Sequence, residues 1–508
     1  MPTSNDPLLV GLDVGTTNIK AVIFDMSGQP VAQASVSTPT YYPQPSWAYY
    51  KAEELWQRTV EAIRLAVAKI DDPGRIVSVA AASMGEAGAP IDAHGQPTYD
   101  VIAWFDQRTQ PQIEWLDRTI GKDRLFDMTG LSLQPIFGLG KLLWLKENQP
   151  DAFARTVRWL NMADYIAYRL CGVPATDYSL ASRTMALDLR RLQWADDLLQ
   201  EVGLPADLFA PACVSGTRLG PVLPEVAAIT GLPTTAQVAT GGHDHVCGAL
   251  AVGVTEPGSL LNSLGTAENL FLPLNQPLTD PEMGRQGYTQ GVHVVPGQYY
   301  VFGASYTSGA CVDWLRQIFG GGDYAALIAA AEQVPPGSLG VCFLPHLRLA
   351  NPPYDDPLGR GAFIGLSTDV KPATLFRAVL EGLAYESHYV VDSLLKFMDT
   401  STLHRIHAIG GGTRNRLLMQ LKATVFNQPV IVTTMTEATS LGAALLGGLG
   451  AGVYADVPAA LGQLKRDEVV VEPLAEQVAL YETYFRQVYQ QLYLALRPLH
   501  HTIYQLQN

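Results

Sequence analysis

The chain has 508 residues, 47% of them hydrophobic and 16% charged, with 46 glycines. That length exceeds one compact core, so two large domains are expected, 1–250 and 251–508. A net charge of −14 without a Lys/Arg cluster excludes a nucleic-acid footprint, but not a nucleotide, whose phosphates backbone amides can hold.

The five cysteines (Cys171, Cys213, Cys247, Cys311 and Cys342) are scattered and show no CxxC spacing, which fits a reducing compartment. The opening MPTSNDP lacks a basic stretch followed by an apolar one. No uninterrupted apolar run reaches the ~18 residues of a membrane span. A cytoplasmic protein with no membrane or nucleic-acid partner is the expectation.

Residues 8–25, LLVGLDVGTTNIKAVIFD, alternate apolar β-formers around a Gly-Thr-Thr turn, and SGQP then turns into VAQASVS. The pattern predicts three short antiparallel strands. Residues 51–70 carry Trp56, Val60, Ile63 and Val67 on one helical stripe, and IVSVAAAS (76–83) reads as a buried strand. KLLWLKEN and RWLNMADYIAYRL read as further helices. After the turn EPGS, LLNSLGTAENLFLPL (260–274) repeats strand, Gly-Thr turn, strand. HVVPGQYYVFG gives strands, GACVDWLRQIF and LFRAVLEGLAYESHYVVDSLLKFM give helices, and RIHAIGGGTRNRLLMQLKATVF gives strand, glycine turn, helix. The two Gly-Thr hairpins, at Gly15 and Gly265, stand about half the chain apart, which points to two related domains joined near residues 250–258.

Three stretches carry chemistry. In DVGTTNIK, a carboxylate ends a strand and a turn of Gly, Thr and Thr gathers amides and hydroxyls at one point. Such a nest suits phosphate, with Asp13 meeting it through a divalent cation, although a plain hairpin would look the same. NSLGTAEN repeats the device at Gly265 and Thr266. IGGGTRNRLLMQ (409–420) reads either as a nucleotide loop, with Asn415 bonding the base edge, or as close helix–strand packing. GGHDHVCGAL (241–250) is ambiguous too. As a strand, His243, His245 and Cys247 would share a face and offer a metal set. The preceding Gly-Gly and the small residues that follow favour Asp244 at or near a helix N-cap instead, as a lone functional carboxylate.

DVGTTNIKAVIFD, GGHD, SLGTAE, PYDDPLGRGAFIGL and GGGTRN…EATSLGAALLGG, in this order from about residue 8 to about 450, resemble the FGGY carbohydrate kinases. FGLGKLLWLKEN is similar to the family's first signature without the usual Ser/Thr/Pro two residues ahead of the Gly before Lys141. GAFIGL through AVLE is similar to the second, with Thr374 at a position usually acidic, amide or His. The resemblance implies two actin-like α/β domains closing over a cleft, and phosphoryl transfer from ATP with Mg²⁺ to a small sugar or polyol. It implies that Asp13 holds Mg²⁺ through water and that Thr16 and Thr17 lie by the γ-phosphate. Gly265, Thr266 and Gly309 would approach the nucleotide phosphates, Gly411, Gly412 and Asn415 would flank adenosine, and Asp244 would be the general base.

By the same resemblance, SMGEAGAPID and VIAWFDQRT match the sugar-binding segments and implicate Glu86, Trp104, Asp106 and Arg108. Xylulokinases carry a His where this chain has Glu86. Glycerol kinases carry Arg-Glu there and a Tyr at the place of Ile136. A four- to six-carbon ketose, sugar acid or polyol is expected, a pentulose first, and the Glu86 carboxylate is expected to disfavour a substrate carboxylate. The rivals are an actin- or Hsp70-like ATPase, which needs neither the GGHD turn nor the WFDQR segment, and a sugar sensor without catalysis. A homodimer is compatible with everything read so far.

Overall fold

The structure, a computed structural model, describes residues 6–398, 403–433 and 435–507, so the first five residues of MPTSNDP lie outside the described residues. In the first half, β1 (Leu8–Val14), β2 (Asn18–Phe24), β3 (Pro30–Ser37), β4 (Ile76–Ser83), β5 (Arg218–Pro221) and β6 (Gln237–His243) form one sheet. Its order is β5-β6-β4-β1-β2-β3. The second half builds a seven-stranded sheet from β7 (Ser259–Leu264), β8 (Glu268–Leu274), β9 (Thr289–Val292), β10 (Tyr299–Ser305), β11 (Arg405–Ile409), β12 (Val430–Thr433) and β13 (Glu468–Val471), in the order β9-β10-β8-β7-β11-β12-β13. Omitting β9, the two orders match except at one edge, where β5 precedes its neighbour β6 in the chain but β13 follows its neighbour β12. Each has a hairpin (β1–β2, β7–β8), a parallel strand beside its first strand (β4, β11), a second parallel strand beyond that (β6, β12), and an antiparallel edge strand. The repeated Gly-Thr turn is the visible trace of this repeated topology.

Helices cover both faces of the first sheet. Residues Val10, Leu12 and Val14 of β1 pack into the core shared with α1 (Ala52–Val67), whereas Leu9 faces the opposite core. That second core contains α4 (Asp244–Val252) and α9 (Ala438–Gly450), so α9, though late in sequence, returns to the first sheet. The approach is close enough to exclude side chains: a Cβ on Gly11 would lie 1.7 Å from the Ser440 carbonyl oxygen. Because successive strand residues alternate faces, Asp13 shares the face of Leu9 and Gly11 and points toward α4 and α9.

Between α1 and α4 lie, among other helices, α2 (Gly138–Asn148) and α3 (Met162–Cys171). Helix was expected throughout RWLNMADYIAYRL, but Arg158–Asn161 is a strand paired with Gly88–Ile91, and helix begins only at Met162. Trp159 lies against Gly88, where a Cβ would come within 2.4 Å of its ring, and this tertiary contact overrides local helix preference. In the second half, α5 (Gly309–Ile318), α6 (Tyr324–Glu332), α7 (Pro372–Leu395) and α8 (Arg416–Phe426) pack around the larger sheet. HVVPG, expected as strand, is mostly the turn between β9 and β10.

Candidate active site

The alternation of β1 decides where Asp13 goes, and the first residue of α4 is Asp244. Burial first, and Asp244 second, push the Asp13 carboxyl up to about 7, while Lys20 opposes them. Lys20 faces Asp13 across the β1–β2 hairpin, and its Nζ donates to Glu437 Oε2 at 2.9 Å and Oε1 at 3.2 Å. Glu437 precedes α9, so two helix starts and a strand end bring three carboxylates and one ammonium together.

Asp244 is the first residue of α4, and His243, not Asp244, occupies the N-cap. Its Oδ1 accepts the His245 amide at 2.6 Å and lies 3.2 Å from His243 Nδ1, while the side chain remains 27% exposed. Burial raises this carboxyl above its ordinary value, and His245 pulls it back. The metal alternative for this stretch requires continuous strand, but β6 ends at His243 and helix begins at Asp244. Cys247 lies fully buried against α9, where a Cβ on Gly442 would meet its carbonyl oxygen at 2.0 Å. Among the described residues, no group of three His, Cys, Asp or Glu side chains converges as a metal cage.

Glu86 follows β4 and is 8% exposed. Its Oε1 accepts Arg183 Nε at 2.7 Å and lies 2.6 Å from Arg183 Nη2. Arg183 thus balances its charge, which removes the physical basis for expecting Glu86 to repel a substrate carboxylate. Lys141, fully buried in α2, donates to the carbonyl oxygens of Glu86 and, at 3.3 Å, Ile102. Trp104 is 39% exposed beside Phe105. Asp106 is fully buried: Oδ1 accepts Arg108 N (2.8 Å) and Nε (2.9 Å), and Oδ2 accepts Arg108 Nη2 (2.8 Å) and Ala48 N (2.5 Å). The Arg108 guanidinium lies over Trp47 at 4.1 Å. Asp106 and Arg108 therefore engage each other and brace the segment that carries Trp104, unlike the expected direct sugar contact.

In the second half a pocket of about 310 Å³ includes Gly265, Thr266, Gly309, Gly411 and Gly412 in its lining. The start of α5 closes on the hairpin: the amides of Gly309 and Ala310 donate to the carbonyls of Gly265 (3.1 Å) and Thr266 (3.1 Å). A Cβ on Gly309 would come within 2.6 Å of the Gly265 oxygen, so this contact needs glycine. Thr16 and Thr17 lie at the first hairpin, outside that pocket; the Thr17 carbonyl accepts the Thr38 amide at 2.9 Å. Asn415 is buried, accepts the Leu418 amide as the cap of α8, and donates to the Tyr324 hydroxyl at 3.2 Å. Its edge is thus used within the fold, and Tyr324 lines the pocket in its place.

Lys20, Lys141, Arg183, Ser308 and Tyr324 were not anticipated. Lys20 could have been found, since hairpin alternation sets it opposite Asp13, and so could Lys141, a lone cation inside the apolar helix LGKLLWL. Arg183 and Tyr324 meet their partners over 97 and 91 residues, and no local pattern signals such contacts.

The model of the N-terminal domain of the FGGY family of carbohydrate kinases matches residues 8–251, and that of the C-terminal domain matches 260–451. A xylulose kinase of Escherichia coli K12 is 30% identical over 504 residues, covering 97% of this chain and 100% of its own. A glycerol kinase of Acaryochloris marina is 32% identical over 488 residues, 91% of this chain and 93% of its own. The solved structure of a xylulose kinase from Rhodospirillum rubrum superposes with a TM-score of 0.89 at 26% identity, covering 97% of this chain and 100% of that one. Both family domains are matched, in the order and over the halves that the two sheets occupy, and the chain belongs to the FGGY family of carbohydrate kinases.

Proposed function

We propose that this kinase transfers the γ-phosphoryl group of ATP to a hydroxyl of a pentulose, with xylulose the first candidate. The observation that carries the chemistry is the meeting of Asp13 and Asp244 at the start of α4. Asp244 has one oxygen held by the His245 amide, which leaves Oδ2 to accept the proton of the attacking hydroxyl. As that proton leaves, the sugar oxygen bonds to the γ-phosphorus and the bond to the bridging oxygen of ADP breaks. The helix start favours the ionised carboxylate, while burial keeps it more basic than an exposed one. Asp13, crowded by other carboxylates, suits Mg²⁺, which takes one or two protein carboxylates and fills its shell with water and phosphate. Mg²⁺ would neutralise charge on the phosphoryl group being transferred. Lys20 adds a fixed cation beside it. The pocket lined by Gly265, Thr266, Gly309, Tyr324 and Gly411 is the proposed nucleotide site.

Glu86 and Trp104 are the proposed sugar contacts, with Arg183, Asp106 and Arg108 holding them. No donor among the described residues reaches Glu86 Oε2, which leaves it for a sugar hydroxyl. The xylulose kinases among the relatives favour a ketose, and the glycerol kinase at 32% identity makes glycerol the second reading. Coupled detection of ADP with xylulose, ribulose, gluconate and glycerol separates them. Xylulose should give the highest kcat/KM; a higher value for glycerol transfers the assignment to the polyol. ADP release that needs no acceptor would return the ATPase reading.

A further inference from the structure

Glu268 takes no part in the proposed chemistry, yet it lies two residues past Thr266 and is fully buried. Its Oε1 accepts Asn262 Nδ2 at 2.7 Å, Ser387 Oγ at 2.6 Å and Lys422 Nζ at 2.6 Å; its Oε2 accepts Ser308 Oγ at 3.1 Å. Lys422, also fully buried, donates to Ser387 Oγ at 2.6 Å. The four partners come from four elements: β7, the N-cap of α5, α7 and α8. Each of these elements also supplies a lining residue to the pocket: Leu264, Gly309, Leu383 and Leu418. Two coincide in register as well as in element. Ser387 is four residues beyond Leu383 on α7, and Lys422 four beyond Leu418 on α8, so each anchor sits one turn along the same helix face.

A fully enclosed carboxylate–ammonium pair adds little net stability compared with an apolar pair of the same volume, because desolvation offsets the attraction. The need for a carboxylate here lies in its capacity to take four donors from four directions at one point. We propose that Glu268, neutralised by Lys422, is a positioning residue for the nucleotide pocket, fixing the spacing of its four walls. This inference rests on reading that pocket as the ATP site.

Glu268→Gln keeps the shape but removes the charge and exchanges one acceptor for donors that face Ser308 or Lys422. The full-length protein is titrated with ADP, and KM is measured for ATP and for the sugar separately. ADP binding should weaken by about tenfold or more and KM for ATP should rise in parallel, with kcat and the sugar KM within about threefold. Unchanged ADP binding in a folded variant overturns the inference, and so do equal rises in both KM values, which would mark a general loosening. If Glu268→Gln does not fold, Glu268→Gln with Lys422→Met removes both charges together and the same criteria apply. If neither folds, the pair determines the fold and the positioning role is overturned. Failure of the wild-type protein to bind ADP would instead reject the ATP-site reading itself.

Discussion

The two Gly-Thr hairpins share a sequence device and a place in their sheets but differ in how their charges are handled. At the first, Asp13 stands at the strand end among Asp244 and Glu437, with Lys20 already committed to Glu437. Burial first, and then the neighbouring carboxylates, push its carboxyl up to about 7. At the second hairpin, Ser263 stands where the first has Asp13, and the carboxylate, Glu268, lies three residues past the glycine with its own ammonium and three further donors. One hairpin keeps a charge in want of a cation, which suits transfer of a phosphoryl group. The other closes its charges on themselves, which suits a pocket of fixed shape. Variants in the first half should therefore act on kcat and on the sugar, and variants in the second on ATP binding.

The largest effect is expected at Asp244. Asp244→Asn should lower kcat by ~10²–10⁴ with sugar and ATP KM values little changed. Burial holds this carboxyl above its usual range, so activity should fall on acidification at a higher pH than an exposed aspartate would give. That acid limb should be absent from the residual activity of the variant. A kcat above a tenth of wild type would reduce Asp244 to a helix-start residue and remove the chemical half of the contrast.

Glu86→Ala comes next. It leaves the buried Arg183 guanidinium without its carboxylate, and kcat/KM for the sugar should drop by roughly ten- to a hundredfold. KM for ATP should stay put, and uncoupled ATP hydrolysis should not change. Equal losses for the substrate and for deoxy analogues would assign the pair to folding alone.

In the second half the glycine turn offers a cleaner division. A Cβ on Gly412 would meet Leu264 Cβ at 2.8 Å, whereas a Cβ on Gly411 would have nothing within 4 Å and both glycines line the pocket. Gly411→Val should raise KM for ATP by about tenfold, since the side chain enters open space, with the sugar KM unchanged. Gly412→Val should instead cost about 1–3 kcal/mol of stability through overpacking, read from urea midpoints. A normal ATP KM in Gly411→Val would show that nucleotide does not use this wall.

What the sequence made legible was local. The Gly-Thr hairpins, the helix start at Asp244 and the strand–glycine–helix unit at 405–426 are each spelled within a short window and formed as expected, although Gly241 and Gly242 continue β6 and make no turn into the helix. The repeat of topology followed from two such windows half a chain apart. What stayed hidden depends on partners far along the chain. Arg183 beneath Glu86, Tyr324 beside Asn415 and α9 seated against Gly11 are consequences of packing, and side-chain type alone did not announce them. Asp106 and Arg108 were implicated through the resemblance of their segment to sugar-binding segments, and no local pattern indicated that the two buried ions bond each other in the fold.

The smallest expected effect extends the contrast to the two fully buried lysines. Lys422 has a carboxylate at 2.6 Å, whereas Lys141 donates to two backbone carbonyls, and no carboxylate oxygen of a described residue lies in ion-pair range. Burial accordingly pushes Lys141 down to about 7, despite the attraction of Glu86 and Asp106 nearby. An unfolded lysine titrates near 10.4, so between about pH 7 and pH 10 the unfolded chain binds more protons at this site than the folded one. Stability must then rise with pH over that window, since the folded state no longer carries a buried charge that the unfolded state solvates well. Lys141→Met removes the titration and leaves two carbonyls without a donor. Its urea midpoint should lie below that of wild type, and the gap should widen as pH is raised from 7 to 10 while the chain stays folded. Burial lowers Lys422 as well, but the charge and hydrogen bond of Glu268 oppose it, so Lys422→Met should show a shallower slope of the same sign. A constant gap for Lys141→Met across this range would mean that the ammonium is as well solvated in the fold as in water, and that the two lysines do not differ.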